Sequence, residues 1–235
     1  DYEATRTTDP RLAARIHAAL GDARTVLNVG AGTGNYEPPD RDVTAVEPSA
    51  AMIAQRPPRA APVVRAVAED LPFADNSFDA AMAVLSDHHW PDRVKGLQEM
   101  RRVARRVAIF TFDHTYFERV WLIRDYFRVM EPSLSGRMPI EEVARHVGAT
   151  AIDPVPIPHD CHDGFLYAYW RRPHAYLDPL VRRNISLFAL MDDDVEAGGV
   201  EHLRADLESG AWQAKHADLL DLDELDCGFR LLWHP

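Results

Sequence analysis

The fold of this chain is decided by the stretch Val26-Leu27-Asn28-Val29-Gly30-Ala31-Gly32-Thr33-Gly34, in which an apolar run stops at a cluster of glycines. A second apolar run follows at Val43-Thr44-Ala45-Val46 and ends in the carboxylate of Glu47. This layout is typical of a nucleoside-cofactor site at the carboxyl edge of a parallel sheet. Small residues let the backbone approach a ligand, and the acid can accept hydrogen bonds from two ribose hydroxyls.

Composition and charge limit the classes of protein to which this chain can belong. The 235 residues are 46% hydrophobic and 27% charged, which is ordinary for a globular domain with a sizeable core. The net charge of -11 disfavours nucleic acid as a partner, because phosphate binding depends on lysine and arginine. No apolar run is long enough to cross a bilayer. We therefore expect a cytoplasmic protein that binds neither nucleic acid nor membrane.

The cysteines and histidines do not predict a metal site. Cys161 and Cys227 are too few for a disulfide framework. The cluster His159-Asp160-Cys161-His162 places its ligands side by side, and adjacent ligands of this kind rarely close a tetrahedral site. We therefore expect no bound metal.

Strands alternate with helices along most of the chain, which predicts an α/β fold with a doubly wound parallel sheet. Strands are predicted at 25–29, 43–46, 62–67, 78–85, 107–112, 151–157 and 229–233, and helices are predicted to begin at Pro10, Ser49, Pro91 and Pro139. Pro38 and Pro39 leave no room for the usual first crossover helix, which we expect to be reduced to a loop.

The segment from Gly164 to about Asp226 has a mainly helical pattern with many aromatic residues. It separates the last two predicted strands, and we expect it to fold over the open carboxyl edge of the sheet. Within it, Asp192-Asp193-Asp194 and Gly198-Gly199 predict an exposed loop. Aromatic residues of this segment and of the insert that precedes it, such as Trp170 and Trp121, either wall an acceptor pocket or form a helical core.

The order of motifs resembles the class I S-adenosylmethionine-dependent methyltransferases, above all the small-molecule branch grouped with ubiquinone/menaquinone C-methyltransferases (type 11). Three segments carry the resemblance, over about residues 1–113: Asn28–Gly34, Glu47–Met52 and Ala68–Asp79. In the last, an acidic-Leu-Pro-Phe turn precedes Ser-Phe-Asp and an apolar strand. The G-x-G-x-G spacing and this downstream motif disfavour a nicotinamide cofactor, whose motif is G-x-G-x-x-G.

The resemblance implies a Rossmann-like sheet of seven strands, the last of them antiparallel, with a helical cap inserted before the final strand. It implies S-adenosyl-L-methionine as the cofactor and a small molecule as the methyl acceptor. The domains expected are a cofactor-binding core at 1–160, a substrate cap at 161–226 and the final core strand at 227–235. We expect a monomer or homodimer.

The family's cofactor contacts, carried over by position, fall on fifteen residues: Arg6, Asn28, Gly30, Ala31, Gly32, Thr33, Gly34, Glu47, Pro48, Met52, Ala68, Glu69, Asp70, Leu85 and Ser86. Glu47 would hold the ribose hydroxyls, Met52 would pack on the adenine, and Arg6 would pair with the carboxylate of the donor. Glu69 could instead be a simple turn acid. The residue before Ala68, commonly acidic in relatives, is Val67 here.

Acceptor-side chemistry is predicted at His88 and His89, which follow the fourth predicted strand. A histidine can take a proton near neutral pH, so either is a candidate base. The alternative is structural: one histidine packs with Trp90 and caps the next helix.

Three other functions stay open. The protein could use the same cofactor without methyl transfer, regulate a partner as a non-catalytic cofactor-binding protein, or methylate RNA, which its acidity disfavours. Cofactor binding together with a product that gains one methyl group distinguishes the leading interpretation from these.

Overall fold

In a computed structural model, which describes residues 5–127 and 138–234, the chain divides into two compact units. The sheet unit comprises Pro10–Asp113, Met138–Val155 and Phe229–Pro235, and the helical unit comprises Asp1–Asp9, His114–Arg137 and Pro156–Gly228. The predicted boundaries at 160 and 226 do not coincide with this division, whose helical unit also includes the described residues 5–9 and 114–127. The functional division into cofactor core and substrate cap stays a prediction.

The described residues form the following elements. The strands are β1 Thr25–Val29, β2 Asp42–Val46, β3 Val63–Val64, β4 Phe78–Val84, β5 Ala104–Phe112, β6 Ala151–Pro154, β7 Ile157–Pro158, β8 Glu224–Leu225 and β9 Phe229–Trp233. The α-helices are α1 Pro10–Ala19, α2 Ala50–Ala54, α3 Arg93–Val103, α4 Ile140–Val147, α5 Pro179–Arg183, α6 Asp193–Ser209 and α7 Ala211–Lys215. Short 3₁₀ helices include Asp87–His89, and Leu122–Tyr126 is a π-helix.

The sheet unit contains one seven-stranded sheet in the order β3-β2-β1-β4-β5-β9-β6. Strands β1 to β5 are parallel, and β9 runs antiparallel to both β5 and β6. This arrangement confirms the predicted doubly wound α/β sheet of seven strands with an antiparallel last strand. The chain winds outward from β1 in both directions, so the strand order reverses beside β1, and a ligand crevice is expected outside the ends of β1 and β4.

Three predicted elements differ in extent from the observed ones. The strand expected over 62–67 is only Val63–Val64. The strand expected over 151–157 is split into β6 and β7, because Pro156 has no N–H with which to continue the ladder. Helix α3 begins at Arg93 instead of Pro91, with the Asp92 side chain accepting a hydrogen bond from the Lys95 N–H at 3.0 Å.

The loop between β1 and β2 contains no helix, as predicted; all of residues 30–41 are described. Tyr36 takes a left-handed conformation with φ 66° and is buried, and its carbonyl oxygen lies 2.9 Å from Nε2 of His17 on α1. The loop therefore packs on α1, where the first crossover helix would otherwise lie.

Hydrogen bonds anchor the diagnostic segment Ala68–Asp79 to α3 and to the start of β1. Its turn is held by Arg102 on α3, which donates hydrogen bonds to the carbonyls of Leu71 at 3.0 Å and Phe73 at 2.8 Å. At its end, the Asp79 carboxylate accepts hydrogen bonds from the backbone N–H groups of Thr25 and Arg24, and these bonds lower the pKa of Asp79. This carboxylate therefore joins the starts of β1 and β4, at the edge of the sheet opposite the glycine cluster.

Buried aromatic side chains form the core of the helical unit. Trp121, Trp170 and Trp212 are each at most 2% exposed. The indole of Trp121 donates to the carbonyl of Trp170 at 2.8 Å, and that of Trp170 donates to the carbonyl of Ile157 at 2.9 Å. Because both indoles are buried and hydrogen bonded, Trp121 and Trp170 belong to a packed core and are not exposed on a pocket wall.

The prediction of an exposed loop at 192–199 is wrong, because residues Asp193–Ser209 form the continuous helix α6. Its first turn carries Asp193, Asp194 and Glu196, and acidic side chains stabilise this positive end of the helix dipole. Gly199 is buried against Phe127: a Cβ built there would lie 2.3 Å from a ring carbon. The aspartates thus lie at the start of a helix, and Gly199 allows a close packing contact, although both residue types are common in turns.

The two adjacent glycines of α6 are expected to respond in opposite ways to alanine. Gly198→Ala should stabilise the protein by about 0.5–1 kcal/mol, because its Cβ meets no atom within 4 Å and glycine weakens helix interiors. Gly199→Ala should destabilise it by about 1–3 kcal/mol through overpacking. Urea unfolding of the two variants measures both effects, and equal shifts would contradict the packing of α6 described here.

Among the described helices, none is both long enough and apolar enough to span a membrane.

Candidate functional site

The glycine cluster forms a tight loop over the ends of β1 and β2. Gly30, Gly32 and Gly34 have φ values of 70°, 52° and 96°, in the left-handed region that favours glycine. The N–H groups of Gly30 and Ala31 both donate to the carbonyl of Val46, at 2.9 and 3.0 Å. The loop is therefore curled by hydrogen bonds to β2, and its three glycines are half-buried.

Gly30 also has no space for a side chain. A Cβ there would lie 2.7 Å from both Cβ and Oγ of Ser86, which follows β4. The Ser86 hydroxyl donates to the carbonyl of Val29 at 2.9 Å and is buried. The predicted contacts Gly30 and Ser86 thus lie side by side at the point where the strand order reverses.

The Glu47 carboxylate lies at the centre of this arrangement. It is 7% exposed, and its two oxygens accept hydrogen bonds from the N–H of Gly32 at 2.8 Å and the N–H of Ser49 at 2.9 Å. A carboxylate has about four acceptor positions, so two remain for further donors. An oriented carboxylate with spare acceptor capacity, beside a loop of glycines, fits the ribose of a nucleoside.

Helix α2 begins beside this carboxylate. The Ser49 side chain caps the helix by accepting a hydrogen bond from the Met52 N–H at 3.3 Å. The Met52 side chain reaches the glycine loop, since a Cβ on Gly32 would lie 3.4 Å from its methyl carbon. Among the other predicted contacts of this region, Ala31 and Thr33 are buried and Pro48 is exposed.

A buried ion pair that sequence reasoning missed supports the loop. Arg56 and Glu37 are joined at 2.7 Å, with side chains only 5% and 9% exposed. Arg56 also donates to the carbonyl of Gly32 at 3.0 Å, and Glu37 accepts hydrogen bonds from the Asn28 amide at 3.2 Å and the Ala61 N–H at 2.8 Å. The amide of Asn28, a predicted cofactor contact, is thus engaged with Glu37.

The three predicted contacts at the start of the diagnostic segment differ in environment. Ala68 is buried next to Gly96 of α3, Glu69 is half-buried and Asp70 is exposed. The Glu69 side chain accepts a hydrogen bond from the Asp92 N–H at 3.1 Å, so it fixes the residue that directly precedes α3. This contact is the structural role that the sequence left open for Glu69.

Beyond β4 the chain turns sharply at Leu85, which has φ 51° although it is not glycine. Such strain tends to occur at functional sites, where the surrounding structure enforces it. The turn leads through Ser86 into the 3₁₀ helix Asp87–His89, in which the rings of His88 and His89 have centroids 4.0 Å apart. His88 is half-buried and His89 is exposed, so both imidazoles reach the surface of this edge.

Arg6 is the one predicted contact outside the sheet unit. It belongs to the helical unit, where its guanidinium pairs with the buried carboxylate of Asp163 at 2.7 Å. Neighbouring backbone bonds join the same segments, including Gly164 N–H to the carbonyl of Thr5 at 2.7 Å. Arg6 already has a carboxylate partner within its own unit, and its contact with the cofactor stays a prediction.

The cluster around Cys161 does not assemble a metal centre. Within residues 5–127 and 138–234, no group of three His, Cys, Asp or Glu side chains could hold a metal ion. Burial raises the pKa of the Cys161 thiol to about 12, so this side chain stays protonated near neutral pH.

Comparison with known proteins identifies the family. A family model described as "Methyltransferase domain" matches residues 27–112, which include the glycine loop, Glu47 and the segment after β4. A crystal structure from Anabaena variabilis, assigned as a methyltransferase of an antibiotic biosynthesis pathway, is 33% identical to this chain, with a TM-score of 0.89 and coverage of 98% of both chains.

More distant structures share the fold. Geranyl diphosphate C-methyltransferase from Streptomyces coelicolor, crystallised with S-adenosyl-L-homocysteine, is 15% identical with a TM-score of 0.54, over 95% of this chain and 78% of that one. The [4+2]-cyclase SpnF is 16% identical with a TM-score of 0.56, over the same shares of the two chains. On the full-length match at 33% identity together with the family model, the chain belongs to the class I S-adenosylmethionine-dependent methyltransferases.

Proposed function

We propose that this protein transfers a methyl group from S-adenosylmethionine to a small-molecule acceptor by in-line displacement. One observation carries the proposal: the buried Glu47 carboxylate is held beside the glycine loop where the strand order reverses. In open α/β sheets, ligands bind in the crevice at that point.

A small acceptor is favoured over a macromolecule for two reasons. The net charge of -11 opposes binding to a phosphate backbone. The full-length relative is assigned to an antibiotic biosynthesis pathway, and geranyl diphosphate is the substrate named for one of the structures with the same fold. Both descriptions are compatible with a small-molecule acceptor.

The proposed roles of the chain's own residues are binding, alignment and proton transfer. Gly30, Gly32 and Gly34, with Ala31 and Thr33, would line the methionine and ribose portions of the cofactor. Glu47 would accept hydrogen bonds from the ribose hydroxyls, while Met52, Ala68 and their neighbours Pro48, Glu69 and Asp70 would border the adenine.

The turn Leu85–Ser86 would form the wall next to the reacting centre. The bound cofactor supplies an activated methyl group on a sulfonium, so the protein has to align the acceptor and exclude water. His88 or His89 would take the proton when the acceptor carries one.

The proposal is tested by mass spectrometry of candidate small-molecule acceptors incubated with the protein and S-adenosylmethionine carrying a trideuterated methyl group. We expect a product in which one hydrogen is replaced by the labelled methyl group, formed by the wild-type protein and not by Glu47→Ala. Labelled RNA in a parallel incubation, or a product that has rearranged without taking up the label, would contradict the proposal.

A further inference from the structure

A second buried carboxylate lies at the same edge of the sheet, at Asp87. It directly follows Ser86 and is fully buried. Nε of Arg93, on the first turn of α3, donates to its Oδ2 at 3.0 Å. A terminal nitrogen of Arg93 also lies 3.5 Å from the hydroxyl of Thr111 on β5. One oxygen of Asp87 is thereby fixed by an arginine that is itself held between α3 and β5.

The other oxygen of Asp87 has no such donor. Within the part of the chain that the structure describes, Oδ1 is buried and accepts no hydrogen bond, and Nδ1 of His88 lies 3.9 Å from it. A buried acceptor left without a donor is unfavourable, because no hydrogen bond offsets its loss of hydration. If Nδ1 of His88 moved about 1 Å closer to Oδ1 of Asp87, the two atoms would be at hydrogen-bond distance.

We propose that Asp87 is a positioning residue that accepts the Nδ1–H of His88 and so presents Nε2 of His88 as a proton acceptor. This inference rests on the proposed methyl transfer. It specifies that the methyl acceptor is a group that loses a proton during the reaction. An imidazole whose Nδ1 carries the proton keeps a lone pair on Nε2, and a carboxylate partner stabilises the cation formed when Nε2 is protonated.

The proposed step balances as follows. A lone pair of the acceptor oxygen or nitrogen forms the new bond to the methyl carbon, and the carbon–sulfur bond breaks with its electron pair remaining on sulfur. The acceptor proton moves to Nε2 of His88. The charge of the sulfonium is thus replaced by that of the imidazolium, next to the Asp87 carboxylate.

The surroundings distinguish His88 from His89. Among the described residues, the titratable or charged neighbours of His88 include Asp87 on its own 3₁₀ helix, Arg93 beyond Asp87 on α3, and the ring of His89, which is tilted by 47° to that of His88. The side chain of His88 is 21% exposed, whereas residue His89 is exposed. His88 therefore combines an adjacent buried carboxylate with access to solvent, as a base requires.

The test is nitrogen-15 NMR of the full chain, which reports the tautomer and the pKa of each imidazole. Signals of the two histidines are assigned with His88→Gln and His89→Gln. We expect neutral His88 in the wild-type protein to carry its proton on Nδ1. In Asp87→Asn, we expect the pKa of His88 to fall by about one unit or more, because its anionic neighbour is lost. Asp92→Asn, at an exposed acid that caps α3, is the matched control and should change neither property.

Neutral His88 protonated on Nε2 in the wild-type protein would overturn the inference, even if Asp87→Asn fails to fold. An unchanged pKa in folded Asp87→Asn would do the same. Calorimetric titration of the same wild-type sample with S-adenosylmethionine keeps the two proposals apart. Retained cofactor binding with the wrong tautomer rejects only the role of Asp87, whereas absent binding rejects the proposed function.

Discussion

Glu47→Ala is expected to weaken the binding of S-adenosylmethionine by about 100-fold or more. Hydrogen bonds to a charged group contribute about 1.5–3 kcal/mol each, and loss of two such bonds to the ribose corresponds to at least about 3 kcal/mol. The variant also leaves the N–H groups of Gly32 and Ser49 without their acceptor. Isothermal titration calorimetry of the purified protein measures the change in affinity.

Two further variants make this measurement specific. Asp42→Ala removes an exposed carboxylate from the opposite end of the same strand and should leave the affinity unchanged. Glu47→Gln retains one acceptor oxygen without the charge and should fall between the wild type and Glu47→Ala. If Glu47→Ala folds and binds the cofactor with wild-type affinity, the cofactor does not lie where we place it.

Arg56→Met is expected to destabilise the protein by about 3–5 kcal/mol. Methionine retains an unbranched apolar stem but has no donor, so the variant leaves the buried Glu37 carboxylate without its counter-ion. The carbonyls of Gly32 and Ala61 lose their donors as well. Because the glycine loop is then unsupported, cofactor affinity should fall together with stability. Urea unfolding, followed by calorimetry under native conditions, measures both quantities.

The matched control for this variant is Arg105→Met. Arg105 is 69% exposed and pairs with Asp79 at 3.5 Å, so its loss should cost no more than about 1 kcal/mol. The double variant Glu37→Met/Arg56→Met removes both charges and should be more stable than Arg56→Met alone. If Arg56→Met and Arg105→Met lose equal stability, the ion pair does not have the buried role assigned here.

Much of the fold could be predicted because its signals are local. Apolar runs that end in Gly30 and in Glu47 mark strands and their carboxyl ends, and alternation with helical patterns predicts a parallel sheet. Pro38 and Pro39 correctly excluded a helix after β1. Element boundaries were less accurate: β3 is shorter than the predicted strand, and Pro156 divides β6 from β7.

The error at Gly198 and Gly199 has a different origin. Glycine and aspartate favour turns in isolation, but their intrinsic preference is weak compared with tertiary packing. Here the close contact between Gly199 and Phe127 requires a residue without a side chain inside a helix. No pattern within the segment itself identifies that partner.

Sequence alone determined the sheet and the family, and it predicted a cofactor site, because these depend on residues close together in the chain or at the ends of predicted strands. Only the tertiary structure revealed the partners of the buried charges: Glu37 with Arg56, Asp87 with Arg93, and Arg6 with Asp163. The spacings of these three pairs follow no helical or strand periodicity. A charge can be buried wherever the fold supplies a partner, so the identity of that partner is decided when the chain packs.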